Sequence, residues 1–110
     1  MKEVIREWGN FKQFILNKKC TVKILELKPK QRLSLQVHKK RDEMWYFLDS
    51  ASVQIGKAKH KVKSGDLVKV KKNSSHRIIS GNNNVRVLEI STGFFNEHDE
   101  IRLEDDYGRE

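Results

Sequence analysis

Hydrophobic residues in this chain recur at every second position in runs of about four to seven residues, with almost no helical periodicity, and turn-forming residues separate the runs. Successive side chains on a strand point to opposite faces, so this period predicts strands with one apolar and one polar face. The strands read as residues 11–16, 21–27, 32–38, 43–48, 52–55, 60–63, 67–70, 76–79 and 85–91. Between them lie Pro29, the 49–50 turn, Gly56, the Ser64-Gly65-Asp66 turn, the 72–75 turn and the Gly81 to Asn84 run. Many short strands with such connections predict an all-β sandwich or barrel.

At 110 residues the chain is long enough for one core and leaves no room for a second enzyme domain. It divides into an N-terminal extension with the first strand (1–19), a barrel core (20–91) and a tail (92–110), without repeats, linkers or low-complexity segments. In the tail, Phe94, Phe95, Ile101, Leu103 and Tyr107 supply enough apolar surface for docking rather than disorder. Trp8 beside Gly9 reads as a core or lid aromatic that folds the N-terminus against the barrel. Cys20, the one cysteine, excludes an internal disulfide, fits a reducing compartment and reads as a small buried residue at a strand start. The charged start lacks a signal-peptide core and the longest apolar run, Met44 to Leu48, is far short of a membrane span, so a soluble cytoplasmic protein without membrane contact is expected.

Twenty-three Lys and Arg against 15 Asp and Glu give a net charge of +8. The basic residues are spread through every segment, as on the solvent faces of strands, which argues against a nucleic-acid stripe. His60 among its lysines reads as exposed. The 35% charged fraction resembles thermophile usage, a compositional hint only.

The chemistry concentrates in residues 31–48, QRLSLQVHKKRDEMWYFL, read as a hairpin of two neighbouring strands. Gln36 and His38 share a face with Ser34, and Glu43 heads an aromatic row with Trp45 and Phe47. A fourth residue from a distant strand, His76, would complete a mixed nitrogen and oxygen set suited to zinc, manganese, iron or cobalt. Singly, each has an ordinary reading: a surface histidine, a solvated Gln, a Glu43 paired with Lys39 or Arg41. Only their conjunction points to a metal.

The pattern Q-x-H-x-x-x-x-E, followed about thirty residues later by a His after a turn, resembles the two-motif signature of the cupin superfamily, with Gln in place of the usual first His. Three stretches, REWGNFK, QRLSLQVHKKRDEMW and IRLEDDYGR, resemble the type II phosphomannose isomerase domain, known as the carboxy-terminal part of bifunctional isomerase and mannose-1-phosphate guanylyltransferase enzymes. The resemblance brackets nearly the whole chain and implies a single cupin barrel, a double-stranded β-helix or jelly roll, with short terminal extensions. It implies Gln36, His38, Glu43 and His76 as ligands of a divalent zinc, manganese, cobalt or iron ion, and interconversion of mannose 6-phosphate and fructose 6-phosphate through an enediolate. Where the family has a Pro and a Gly before the second-motif His, this chain has Lys71 and Asn73; Asn73 can supply the positive φ.

Arg6, Lys12, Arg41, Arg102 and Arg109 lie in or beside the resembling stretches and are the candidate phosphate anchors, with Ser34 expected beside substrate or ligands. Tyr107 and Glu104 head the candidates for the base, which also include Asp105, Asp106 or a lysine. The expected partner is a small phosphorylated hexose, and a homodimer follows from fold analogy alone. Two other classes fit the same residues. A two-His, one-carboxylate set also serves non-haem iron oxygenases, where Gln36 would fill a position that must stay open, and a non-catalytic sugar-phosphate or nucleic-acid binding module could keep the scaffold.

Overall fold

The computed structural model describes residues 1–94, 96 and 98–109; Phe95, counted above among the tail's apolar residues, lies outside them. The described residues form eleven strands and no helix. β1 (Lys2–Arg6) and β2 (Gly9–Gln13) pair as a separate hairpin. Nine more strands build two antiparallel sheets. One has the order β3 (Cys20–Leu27), β10 (Val85–Gly93), β5 (Arg41–Phe47), β8 (Leu67–Val70), and the other the order β11 (Ile101–Glu104), β4 (Leu35–Val37), β9 (His76–Ile79), β6 (Ala51–Ile55), β7 (Ala58–Val62).

The pairing is nested around the turn at Gly56: β6 with β7, β5 with β8, β4 with β9 and β3 with β10. The barrel is one long hairpin wound up so that alternate paired segments fall in opposite sheets. Gly56, at φ 59, provides the left-handed residue a two-residue turn between Ile55 and Ala58 requires. Inward parity then selects the core: Trp45 and Phe47 from β5, Val85 and Val87 from β10, Val70, Val53, Ile78 and Leu27 form one buried cluster.

This winding corrects the expected 31–48 hairpin. β4 and β5 belong to opposite sheets, and the segment between them is a corner whose backbone bonds go elsewhere. Asn73 N–H donates to the His38 carbonyl at 2.7 Å, and the Asp99 carboxylate accepts from the amides of Lys39 and Lys40 at 3.2 and 2.9 Å. The run Lys39, Lys40, Arg41 also lacks the Asn-Gly or Gly pair that a tight hairpin needs. Gln36 and Glu43 therefore face each other across the barrel rather than lying side by side.

Other expectations shift for similar reasons. The first strand spans Gly9–Gln13 instead of 11–16, because β1 takes it into the N-terminal hairpin. Trp8 sits in that hairpin's turn and is 74% exposed, so it is not a core residue. Cys20 is exposed because it has the outward parity of Val22 and Ile24 on β3. The tail returns as β11, pairing with β4 at the sheet edge. Arg77, only 1% exposed, fastens it by donating to the Leu33 carbonyl at 3.0 Å and to the Glu104 carboxylate at 3.0 Å. Among the described residues no helix is long and apolar enough to cross a membrane.

Gly93 closes β10 against the same corner. It stands at φ 100, and a Cβ there would lie 2.6 Å from the Lys40 carbonyl oxygen, whereas at Gly56 a Cβ would meet nothing. Gly93→Ala is therefore expected to cost about 1–3 kcal/mol through combined backbone strain and overlap, and Gly56→Ala about 1 kcal/mol from backbone strain alone. Thermal unfolding of the two variants checks this, and a smaller loss at position 93 would contradict the close packing of that corner.

Candidate metal centre

Three buried side chains converge between the two sheets. His76 begins β9, Glu43 lies on β5, and His38 occupies the corner between β4 and β5. Each is 3% exposed, and one ligand-type atom from each lies within 4.8 Å of the others. His38 Nε2 is 3.8 Å and His76 Nε2 3.3 Å from the same Glu43 oxygen, Oε1. Gln36 is in register with His76 and lines the same cavity.

The hydrogen bonds decide which nitrogens are available. His38 Nδ1 is 2.7 Å from the Asp99 carbonyl and His76 Nδ1 is 2.9 Å from the Ser74 carbonyl, so in both neutral rings Nδ1 carries the proton and Nε2 presents a lone pair. The 3.3 Å approach of His76 to Glu43 then sets a lone pair against a carboxylate oxygen. Consistently, Glu43 Oε1 and His76 Nε2 are buried and have no hydrogen-bond partner among the described residues. Such an arrangement is unfavourable unless a cation lies between the groups. Two imidazoles and a carboxylate, with the Gln36 amide beside them, are a donor set that fits a divalent metal.

Titration behaviour agrees. Burial lowers the His38 pKa from its ordinary 6.5, keeping the ring neutral as a ligand must be. Burial penalises the Glu43 charge, and the Arg41 guanidinium is among the groups that oppose that penalty. Arg41 is itself buried, with Nη2 3.1 Å from His38 Nε2 and Nε 3.4 Å from Glu43 Oε2. It thus partly realises the ordinary ion-pair reading of Glu43 while standing at the atoms a metal would bind.

Supporting contacts come from Trp45, in the aromatic row noted in the sequence, and from two positions the sequence reading passed over. Ser91 Oγ donates to Glu43 Oε2 at 3.3 Å, the Trp45 ring meets His76 edge-on at 5.5 Å between centroids, and the Asp99 carbonyl orients His38. Alternation along β10 could have pointed Ser91 and Glu89 inward with Val85 and Val87. Nothing in sequence spacing could have brought Asp99 to His38, sixty-one residues away. Asn73 does adopt positive φ, 69°, in the turn before His76.

The other candidate residues are distributed unevenly. Ser34 is buried and its Oγ accepts from Gln36 Nε2 at 3.2 Å, which leaves the amide oxygen, the atom a metal would use, outside that contact. Arg41 lines the cavity. Arg102 is in register with Gln36 and pairs with Glu100, a cavity residue, at 2.7 Å, while its Nε is buried without a partner. Ser34 and Arg102 thus touch lining residues without lining the cavity themselves, and the structure does not bring the remaining five to it. Arg6 stacks over Phe11 and Lys12 pairs with Glu3, both on the N-terminal hairpin. Arg109 is held by Asp105, whose carboxyl it depresses to about 2. Tyr107, 52% exposed, donates to Gln31, and Glu104 is spent on Arg77.

The cavity holds about 150 Å³ and is lined by Leu25, Leu33 and Trp45 around the polar cluster, with Lys23, Glu89 and Glu100 completing the wall. It is smaller than the roughly 300–1,000 Å³ of usual small-molecule sites, with room for only part of a molecule of that size. A wider hollow of about 460 Å³ between Glu26, Lys28, Asn84 and Arg86 holds no converging cluster and is not where the chemistry lies.

Comparison with known proteins agrees with this geometry. Residues 1–105 match the family described as "Mannose-6-phosphate isomerase C-terminal". The alginate biosynthesis protein AlgA of Pseudomonas aeruginosa is 32% identical over 110 residues, covering 97% of this chain and 23% of its own length. Mannose-1-phosphate guanylyltransferase RfbM of Salmonella typhimurium is 29% identical over 106 residues, covering 94% of this chain and 22% of its own length. The chain therefore spans about a quarter of the length of these relatives. Among solved structures, an uncharacterised Klebsiella pneumoniae protein with a double-stranded β-helix domain superposes with a TM-score of 0.69 at 17% identity, covering 83% of this chain and 80% of that one. The nested barrel is thus the double-stranded β-helix of the cupins, and the chain belongs to the mannose-6-phosphate isomerase C-terminal family.

Proposed function

We propose that this domain is a metal-dependent aldose-ketose isomerase of phosphorylated hexoses, interconverting mannose 6-phosphate and fructose 6-phosphate. The observation that carries the reading is the pair of histidine Nε2 lone pairs turned on a buried, partnerless carboxylate oxygen inside a cavity fit for the reacting end of a sugar. Gln36, His38, Glu43 and His76 would hold the metal, zinc, manganese, cobalt or iron. Bound there, it would act as a Lewis acid that stabilises the negative charge developing on two adjacent substrate oxygens.

The rest falls to the chain's own side chains. Arg41 brings a cation to the cavity lining, where it favours an oxyanion. Arg102 keeps one N–H without a partner next to Gln36, suited to a phosphate oxygen reaching in from the mouth. Leu25, Leu33 and Trp45 exclude water, which strengthens each of these interactions and protects a reactive intermediate. Family membership and the AlgA and RfbM relatives support a substrate of mannose-phosphate type.

Metal-stripped protein is expected to form no fructose 6-phosphate from mannose 6-phosphate, and zinc, manganese or cobalt to restore turnover. His76→Ala is expected to lose more than the 10–100-fold in metal affinity that removal of an outer-shell partner costs, roughly, in other metal sites, with turnover lost in parallel. Turnover that survives chelation would contradict the reading, and bound metal without turnover would move the substrate elsewhere.

The pH dependence has a definite sign. Protons compete with metal for Nε2, and burial disfavours the His38 imidazolium, so metal is expected to be retained through pH 6.5 and released only at more acid values. Competition with a chelator across a pH series measures this, and release at or above pH 7 would contradict it.

A further inference from the structure

Resting on the isomerase reading, a question remains about the proton that must pass between C1 and C2. Tyr107 and Glu104, the residues expected to serve, are engaged outside the cavity. Besides Glu43 and Glu100, which pairs with Arg102, the cavity wall contains a third carboxylate, Glu89, absent from the candidates named above. It lies on β10 at inward parity, between Val87 and Ser91, and is 8% exposed. Its register partners are Trp45 on β5 and Lys23 on β3, and Trp45 Nε1 donates to its Oε2 at 3.2 Å. Alternation along β10 thus gives successive inward residues different tasks: Ser91 steadies Glu43, and Glu89, two residues away, stands on the same wall.

We propose that the Glu89 carboxylate carries the proton between C1 and C2 of the hexose phosphate. It takes the proton from C2, the C–H electron pair becomes the C1=C2 bond, and the carbonyl pair moves onto O1. The 2-hydroxyl proton passes to O1, the C2=O bond forms, and the Glu89 carboxylic acid returns its proton to C1. The electron pairs stay within the substrate and one proton is returned for the one taken, the Glu89 carboxylic acid exchanging with solvent in between, so no oxidant or reductant enters.

A carboxyl that does acid-base work at neutral pH needs a pKa near that range. Burial and then the nearby Glu43 charge raise Glu89 to about 7, against the pull of Trp45, Lys23 and Arg41. Charged and titratable groups facing the cavity with it are Lys23 from β3, Arg41 and Glu43 from β5, His38 and His76 from the opposite wall, and Glu100.

The test is Glu89→Gln, which preserves the side chain's shape and an oxygen for Trp45 Nε1–H but removes the proton carrier. Wild type and variant are loaded with manganese, and the metal content of each is measured. Each is then assayed with mannose 6-phosphate in water and in D2O, following deuterium at C1 and C2 by NMR. Expected is a fall in kcat of about 10²–10⁴-fold, with KM and metal content changed less than about threefold, equal loss of deuterium incorporation, and disappearance of the acid limb of the wild-type kcat profile. A variant that keeps its metal and turns over within about tenfold of wild type would overturn the role of Glu89. A wild type that never turns over would overturn the isomerase reading itself, and Glu89's part in it.

A substrate-free readout runs alongside. A carboxyl raised from 4.5 to about 7 by folding makes the folded state hold its proton longer than the unfolded chain, so wild-type stability is expected to fall as pH rises through that window. Thermal unfolding of Glu89→Gln should lack this decline, and an identical decline in both proteins would equally overturn the proposal.

Discussion

Everything in this molecule that bears on chemistry depends on one contact between opposite walls: the Nε2 lone pairs of His38 and His76 directed at the buried Glu43 carboxylate. Desolvating a carboxylate is costly, and surrounding it with lone pairs adds repulsion rather than relief. The Arg41 guanidinium meets part of the demand, through His38 Nε2 and the other Glu43 oxygen, yet Oε1 and His76 Nε2 remain without partners. A divalent cation satisfies all of these atoms together. The two backbone carbonyls behind the rings prevent the alternative, in which a ring turns its N–H towards the carboxylate.

The barrel's winding makes that contact possible. Nested pairing sends β4 and β5 into opposite sheets, so residues seven apart in sequence, Gln36 and Glu43, arrive on facing walls. The corner that joins them is held from three directions, by Asn73 beneath His38, by Asp99 across the Lys39 and Lys40 amides, and by Gly93 against the Lys40 carbonyl. These are backbone contacts, which place the corner without depending on the identity of the lysines. The tail contributes through Asp99 and through β11, whose Arg102 lies next to Gln36, so the last part of the chain completes the site instead of merely covering it.

Much of this was legible in the sequence, and the limits have physical causes. Period-2 alternation located most strands because half-buried strands write their burial directly into residue order; residues 67–70 and 76–79 coincide with β8 and β9. The quartet of Gln36, His38, Glu43 and His76 was visible as a motif, and the structure brings it to one cavity. Pairing partners were not visible, because which strands join is decided by long-range register, and so adjacent alternating runs read as a hairpin. Long side chains were the least legible. Arg6, Lys12 and Arg109 share a charge with Arg41, but local partners in the N-terminal hairpin and the tail engage the first three, whereas strand parity turns the fourth inward. Trp8 and Cys20 are exposed because one lies at a hairpin tip and the other on an outward parity, neither of which composition reveals.

The most direct measurement is anomalous X-ray diffraction from crystals grown with zinc, locating the ion at its absorption edge. A single strong peak is expected in the barrel cavity, about 2.0–2.2 Å from His38 Nε2, His76 Nε2 and a Glu43 oxygen, with the Gln36 amide oxygen beside it and the Arg41 guanidinium displaced from His38. Zinc found only at surface histidines, with the Arg41 contacts to His38 and Glu43 intact, would contradict a metal centre in this cavity.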